Sequence, residues 1–162
     1  MQPTNAPKIA PSSSAIRKKI GNKVNMRDIF TPEKLKECEA IIEKAHTDFL
    51  QDALDIWKLI INNFAELTAN PDESHAIIKK IADNSLAIKG KLDAVGYGLG
   101  MKIAKSLNEF ATNDTSPQKH MVIYGKHIDA MNTVIRANLK GDGGAIGTEM
   151  TQALSALIKK LA

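Results

Sequence analysis

Four histidines (His46, His75, His120 and His127) and one cysteine (Cys38) are the side chains with the widest chemical repertoire in this chain. An imidazole can ligate a metal, relay a proton or accept a phosphoryl group, but each role needs partners at a defined spacing. His120 and His127 stand seven residues apart, two turns of a helix. Chelation by one helix instead uses i and i+4, as in His-Glu-x-x-His. Neither has a carboxylate or cysteine at a helical spacing that completes a metal site, so both read as partly buried or surface histidines. His75 stands eleven residues before Leu86, which on a helix returns it to nearly the same face about 16 Å away. A single cysteine excludes an internal disulfide framework and an all-cysteine metal site. The glycines of Tyr97-Gly98-Leu99-Gly100 and Gly141-Asp142-Gly143-Gly144 lack the Gly-Lys-Ser/Thr of a phosphate loop, and no serine lies in a Gly-x-Ser-x-Gly elbow. No catalytic residue, metal or cofactor is therefore expected.

The elements that carry these residues read as helices throughout. Thr31-Pro32-Glu33 is a helix start, with an N-cap hydroxyl, proline in the first turn and an early acid. Leu35, Cys38, Ile42, Ala45, Phe49, Ala53, Ile56, Ile60 and Leu67 follow at steps of mostly three or four, one apolar stripe of a helix. Leu50, Leu54, Trp57, Ile61 and Phe64 add a second stripe. A break at His46-Thr47-Asp48 is open, with Thr47 as the cap of a second helix. Asn70-Pro71 ends the segment. The next helix runs from about Pro71–Ser74 past Lys91, until Gly96, Gly98 and Gly100 interrupt it. Another carries Met101, Ile103, Ala104, Leu107 and Phe110. Ser116-Pro117 begins the next, with Met121, Tyr124, Ile128, Met131 and Ile135 inward, and the last carries Ile146, Met150, Leu154, Leu157 and Leu161. No segment alternates with the period of two that marks a strand. The fold expected is all-α: an antiparallel four-helix-type bundle with an extra N-terminal helical segment.

The composition agrees with one soluble domain. The 162 residues are 43% hydrophobic and 25% charged, enough for a core. No apolar run approaches the roughly 20 residues of a membrane span, and the N-terminus has no secretory signal. A soluble cytoplasmic protein without membrane insertion is expected. The net charge of +4 is uneven: residues 1–30 hold Lys8, Arg17, Lys18, Lys19, Lys23 and Arg27 against Asp28 alone, while the remainder carries 16 basic and 17 acidic groups. Residues 1–30, with Pro3, Pro7, Pro11 and Ser12-Ser13-Ser14, read as a flexible basic arm, and residues 31–162 as the bundle domain.

One face of the helix spanning 72–95 stands out. At about 100° per residue, Ile77, Ile81, Ile88, Leu92 and Val95 fall within about 60° of one another and form its core stripe. Leu86 lies roughly opposite Ile88. Beside it stand Lys79, Asp93 and Gly90, with Lys89 and His75 on the flanks. A mid-helix glycine costs about 1 kcal/mol relative to alanine, so Gly90 calls for a compensating reason. Leu86, Lys89 and Gly90 together read as a docking spot: an apolar knob, a cation and a cleared patch on which another surface can close.

Leu86-Ala87-Ile88-Lys89-Gly90, followed by Val95-Gly96, resembles the signature of histidine phosphotransfer (HPt) domains: His, any residue, Leu or Ile, Lys, Gly, then an apolar residue and Gly. The motif covers about eleven residues, on a long helix of a helical bundle as in that family. The family's phosphoacceptor position is occupied here by Leu86, which has no nucleophilic nitrogen. The resemblance thus implies an HPt-like bundle that keeps the shape and lacks the chemistry. Its implied partner is the receiver domain of a response regulator or hybrid kinase in a bacterial-type two-component phosphorelay. Leu86, Lys89, Gly90, Lys79, Asp93 and His75 are the docking residues expected. Two other readings stay open: an active phosphotransfer protein using a non-standard histidine, and a helical scaffold whose basic arm binds nucleic acid or another anionic surface.

Overall fold

The computed structural model describes residues 31–70 and 74–162; the basic segment 1–30, on which the arm was expected, lies outside the described residues. The chain divides into two compact units, residues 1–43 and 44–162. Five α-helices and no strand occur among the described residues: α1 (Pro32–Ala69), α2 (Ser74–Ala94), α3 (Gly98–Asn113), α4 (Met121–Arg136) and α5 (Gly144–Leu161). The all-α expectation therefore holds. No helix is long and apolar enough to cross a membrane.

α1 starts where its sequence says. Thr31 Oγ1 accepts the Lys34 N–H at 3.3 Å, with Pro32 at the first helical position. It then runs unbroken for 38 residues, so the open break at His46-Thr47-Asp48 does not occur. Between Glu33 and Asn70 there is no proline or glycine, and threonine's modest helix penalty of under about 0.7 kcal/mol does not interrupt a helix this long. Full burial begins only at Ala53, with Ala53, Ile60 and Leu67 of the first stripe and Trp57 of the second. Leu35, Ile42 and Phe49 remain exposed, against expectation.

In the unit 44–162, pairings between elements give the register. Asp52 meets Lys91 at 2.8 Å and Glu66 meets Lys80 at 3.7 Å, which sets α1 antiparallel to α2. Asn108 Nδ2 donates to the Ala82 carbonyl at 2.9 Å, and Leu92 lies beside Gly100, so α2 and α3 are antiparallel. Ser106 with His127 and Phe110 with Tyr124 do the same for α3 and α4. Trp57 Nε1 donates to Asn132 Oδ1 at 2.9 Å and Phe64 approaches Gly125, bringing α4 back to α1. α5 packs on α3 and α4. The interior is aliphatic, with Ile60, Ile77, Ile81, Ile88, Leu92, Leu99, Ile103, Leu107, Ile123 and Met131 fully buried around Tyr124. On α5, Leu154 is buried, whereas Ile146 and Leu161 lie exposed.

The two glycine-rich stretches are structural and face each other. Gly96 takes φ +79° and closes α2 in a Schellman arrangement, in which Tyr97 N–H donates to the Leu92 carbonyl at 2.8 Å. Leu99 N–H then donates to the Gly141 carbonyl and Gly141 N–H to the Gly96 carbonyl, both at 2.7 Å. This backbone clasp requires close approach: a Cβ on Gly98 would stand 3.0 Å from the Gly141 oxygen, and one on Gly147 would collide with the Asp142 carbonyl. Lys140 covers the clasp, its ammonium 3.6 Å from the centre of the Tyr97 ring and 3.1 Å from the Val95 carbonyl.

Two contrasts test this packing by chemical denaturation. Ile60→Ala, at a fully buried position, is expected to cost about 2–5 kcal/mol, whereas Leu59→Ala, at the adjacent half-exposed position, costs under about 1 kcal/mol. Gly147→Ala is expected to destabilise by at least about 1 kcal/mol because a backbone oxygen occupies the Cβ position. Equal effects at 59 and 60, or a neutral Gly147→Ala, would contradict the packing.

Candidate docking face on α2

Burial of Ile77, Ile81, Ile88 and Leu92 locks the rotation of α2, as the periodicity predicts. Residues seven apart on a helix return to within about 20° of one face, so Lys79, Leu86 and Asp93 form an outward row. Leu86 is 56% exposed, the largest apolar side chain on that face. Gly90 lies exposed one turn beyond it, and a Cβ built there meets no atom within 4 Å. No crowding among the described residues therefore calls for glycine at position 90. Lys89 is half-buried and carries no ion pair among the described residues, whereas Lys79 is paired with Asp83 at 2.7 Å. Asp93 and His75 are exposed. The structure thus brings Lys79, Leu86, Lys89, Gly90 and Asp93 onto one surface; His75 stands about 16 Å along the same helix, at its first turn. Lys91 is tied inward to Asp52 and over the Phe49 ring.

One residue of this surface escaped the sequence reading. Leu59 on α1 is 51% exposed and edges a shallow depression with Asn63, Lys80, Asp83 and Asn84. The antiparallel pairs Asp52–Lys91 and Glu66–Lys80 set Leu59 and Leu86 at the same level of the α1–α2 pair. Adjacent Ile60 and Ile61 masked Leu59 in the sequence, because three consecutive aliphatics do not reveal which one faces out.

The histidines fall out differently from expectation. His127 is completely buried, not partly exposed. Its Nδ1 donates to the Ile123 carbonyl at 2.8 Å, leaving Nε2 to accept from the Ser106 hydroxyl at 2.9 Å. His120 does have a carboxylate partner: Asp114, wholly enclosed, at 2.8 Å from Nδ1. Asp114 also accepts from the Ser116 N–H at 2.8 Å and the Tyr124 hydroxyl at 2.7 Å. Helical spacing could not reveal this group, because Asp114 lies in the loop before α4. The loop contains a 3₁₀ turn at Pro117–Lys119, so α4 begins at Met121 rather than at Ser116-Pro117. Burial, then the bond and charge of Asp114, push the Tyr124 phenol far above the ordinary range. Burial holds the His127 imidazole below its ordinary pKa. Among the described residues no three metal-ligating side chains cluster.

Comparison with protein-family models, with curated proteins and with solved structures finds no match to this chain.

Two measurements follow. Gly90→Ala is expected to stabilise the fold by about 0.5–1 kcal/mol, since the added methyl meets nothing and alanine is the better helix former; destabilisation would mean that the site is crowded. Burial lowers the His127 pKa in the folded chain, so below about pH 6.5 the unfolded chain binds more protons and stability falls as the pH falls. Denaturation from pH 7 to pH 5 should show a smaller acid-side loss in His127→Gln than in the wild type; identical slopes would exclude His127 as the source.

Proposed function

We propose that this chain is a non-catalytic, HPt-like interaction module that docks the receiver domain of a response regulator or hybrid kinase and so modulates a two-component phosphorelay. The observation that carries the reading is Leu86, more than half exposed on an outward face beside an open Gly90, at the position where the resembled signature has its phosphoacceptor histidine. An exposed leucine on a helix face offers apolar area that a closing partner removes from water, about 1.5–3 kcal/mol when fully buried. Leu59 widens the apolar area at the same level. The Lys89 ammonium, without an ion pair among the described residues, fits the acidic pocket that the resemblance implies for a receiver, where it favours encounter and orientation. With leucine at position 86 there is no nitrogen to take a phosphoryl group, so the module would occupy a receiver without relaying phosphate.

Binding to isolated receiver domains from the same source organism tests the reading by calorimetry. Leu86→Glu is expected to weaken binding at least tenfold, about 1.4 kcal/mol, with unchanged helical circular dichroism. Gly90→Ala should weaken binding while raising thermal stability, a combination that no general loss of structure produces. Retained binding in both variants, or no receiver bound by the wild type, would refute the proposal.

A further inference from the structure

The first turns of α1 carry an apolar stripe without cover. From Pro32 to Lys44 every residue is exposed, and within that stretch Leu35, Cys38 and Ile42 follow at steps of three and four. Leu35 is 46% and Ile42 59% exposed, with Ile41, also exposed, at the edge of the stripe. Helices in proteins draw most of their stability from packing such a face, so this stretch calls for an occupant. Charge selects among the occupants. Residues 31–43 carry Glu33, Glu37, Glu39 and Glu43 against Lys34 and Lys36, an acidic excess. A second copy of the same face would bring like charge to it. Residues 1–30 bring the opposite sign, with six basic groups against Asp28 alone.

That segment also has a matching apolar pattern. Ile16, Ile20 and Val24 recur every four residues, the spacing of one helix face, with Arg17, Lys18, Lys19 and Lys23 between them. Seven residues, 25–31, separate Val24 from Pro32, within the usual length of a helix–helix connection. A chain that returns antiparallel over that distance sets Val24 at the level of Leu35, Ile20 at Cys38 and Ile16 at Ile42, and brings Arg17 alongside Glu39. Residues 1–43 moreover cluster as one compact unit. We propose that residues 16–24 dock as an amphipathic helix along the Leu35, Cys38 and Ile42 stripe of α1, the apolar faces closing on each other and the basic flank meeting the glutamates. The short connection gives this segment an effective concentration on the order of mM at the stripe, which favours it over a separate molecule. The docking face on α2 has no part in this contact.

Cys38 reports on the stripe, because it stands in the middle of it and is the chain's only cysteine. The rate of its alkylation by N-ethylmaleimide is measured on the full chain in dilute solution. The comparison is a full chain with Ile16→Asn and Ile20→Asn, which keeps every charge and alters nothing in residues 31–162. The wild type is expected to react roughly tenfold or more slowly than this variant, since a docked segment must open before the thiol is reached. Its rate should not depend on protein concentration. Equal rates in the two chains would overturn the proposal. Protection that deepens with protein concentration, together with a dimer in sedimentation velocity, would overturn it in favour of a second copy on the stripe.

Discussion

The burial of one aliphatic stripe of α2 is the constraint from which the candidate function follows. Ile77, Ile81, Ile88 and Leu92 are removed from water, each contributing on the order of 1.5–3 kcal/mol. No rotation of the helix that exposes Leu86 less would keep all four inside. A half-exposed leucine on α2 is therefore imposed by its neighbours. The face it stands on belongs to a helix whose opposite side is buried, and a preordered surface loses little conformational freedom on binding.

A second device steadies the far end of the helices. The turns at Gly96–Gly98 and Gly141 bond to each other through their backbones, and Gly147 leaves room for the Asp142 carbonyl. These glycines and Gly90 look alike in the sequence but serve opposite ends. Gly98 and Gly147 are demanded by atoms that lie where a Cβ would be, whereas Gly90 faces empty space. At the other end, Asp114 joins a backbone N–H, an imidazole and a phenol into one enclosed group that fixes the entry to α4.

How far the sequence reached depended on how local each feature is. The stripe of α2 and the exposure of Leu86 follow from rotation about one helix axis, and both were readable. The N-cap at Thr31 is likewise local. Where α1 begins to be covered depends on what packs against it, so the apolar stripe at Leu35, Ile42 and Phe49 suggested burial that the structure does not give. Leu59 was hidden by its aliphatic neighbours. Asp114 with His120 and Tyr124 was invisible to helical spacing because a loop and a 3₁₀ turn bring them together. The glycine clasp joins residues more than forty positions apart, which a sequence pattern does not encode.

Backbone amide hydrogen exchange, measured on the free chain and with an excess of a bound receiver domain, tests the docking face most directly. The expected result is added protection over residues 83–94 of α2 and around Leu59 on α1, with α4 and α5 unchanged. Protection confined to α4 and α5, with α2 exchanging as in the free chain, would contradict the assignment of Leu86, Lys89 and Gly90 as the docking face.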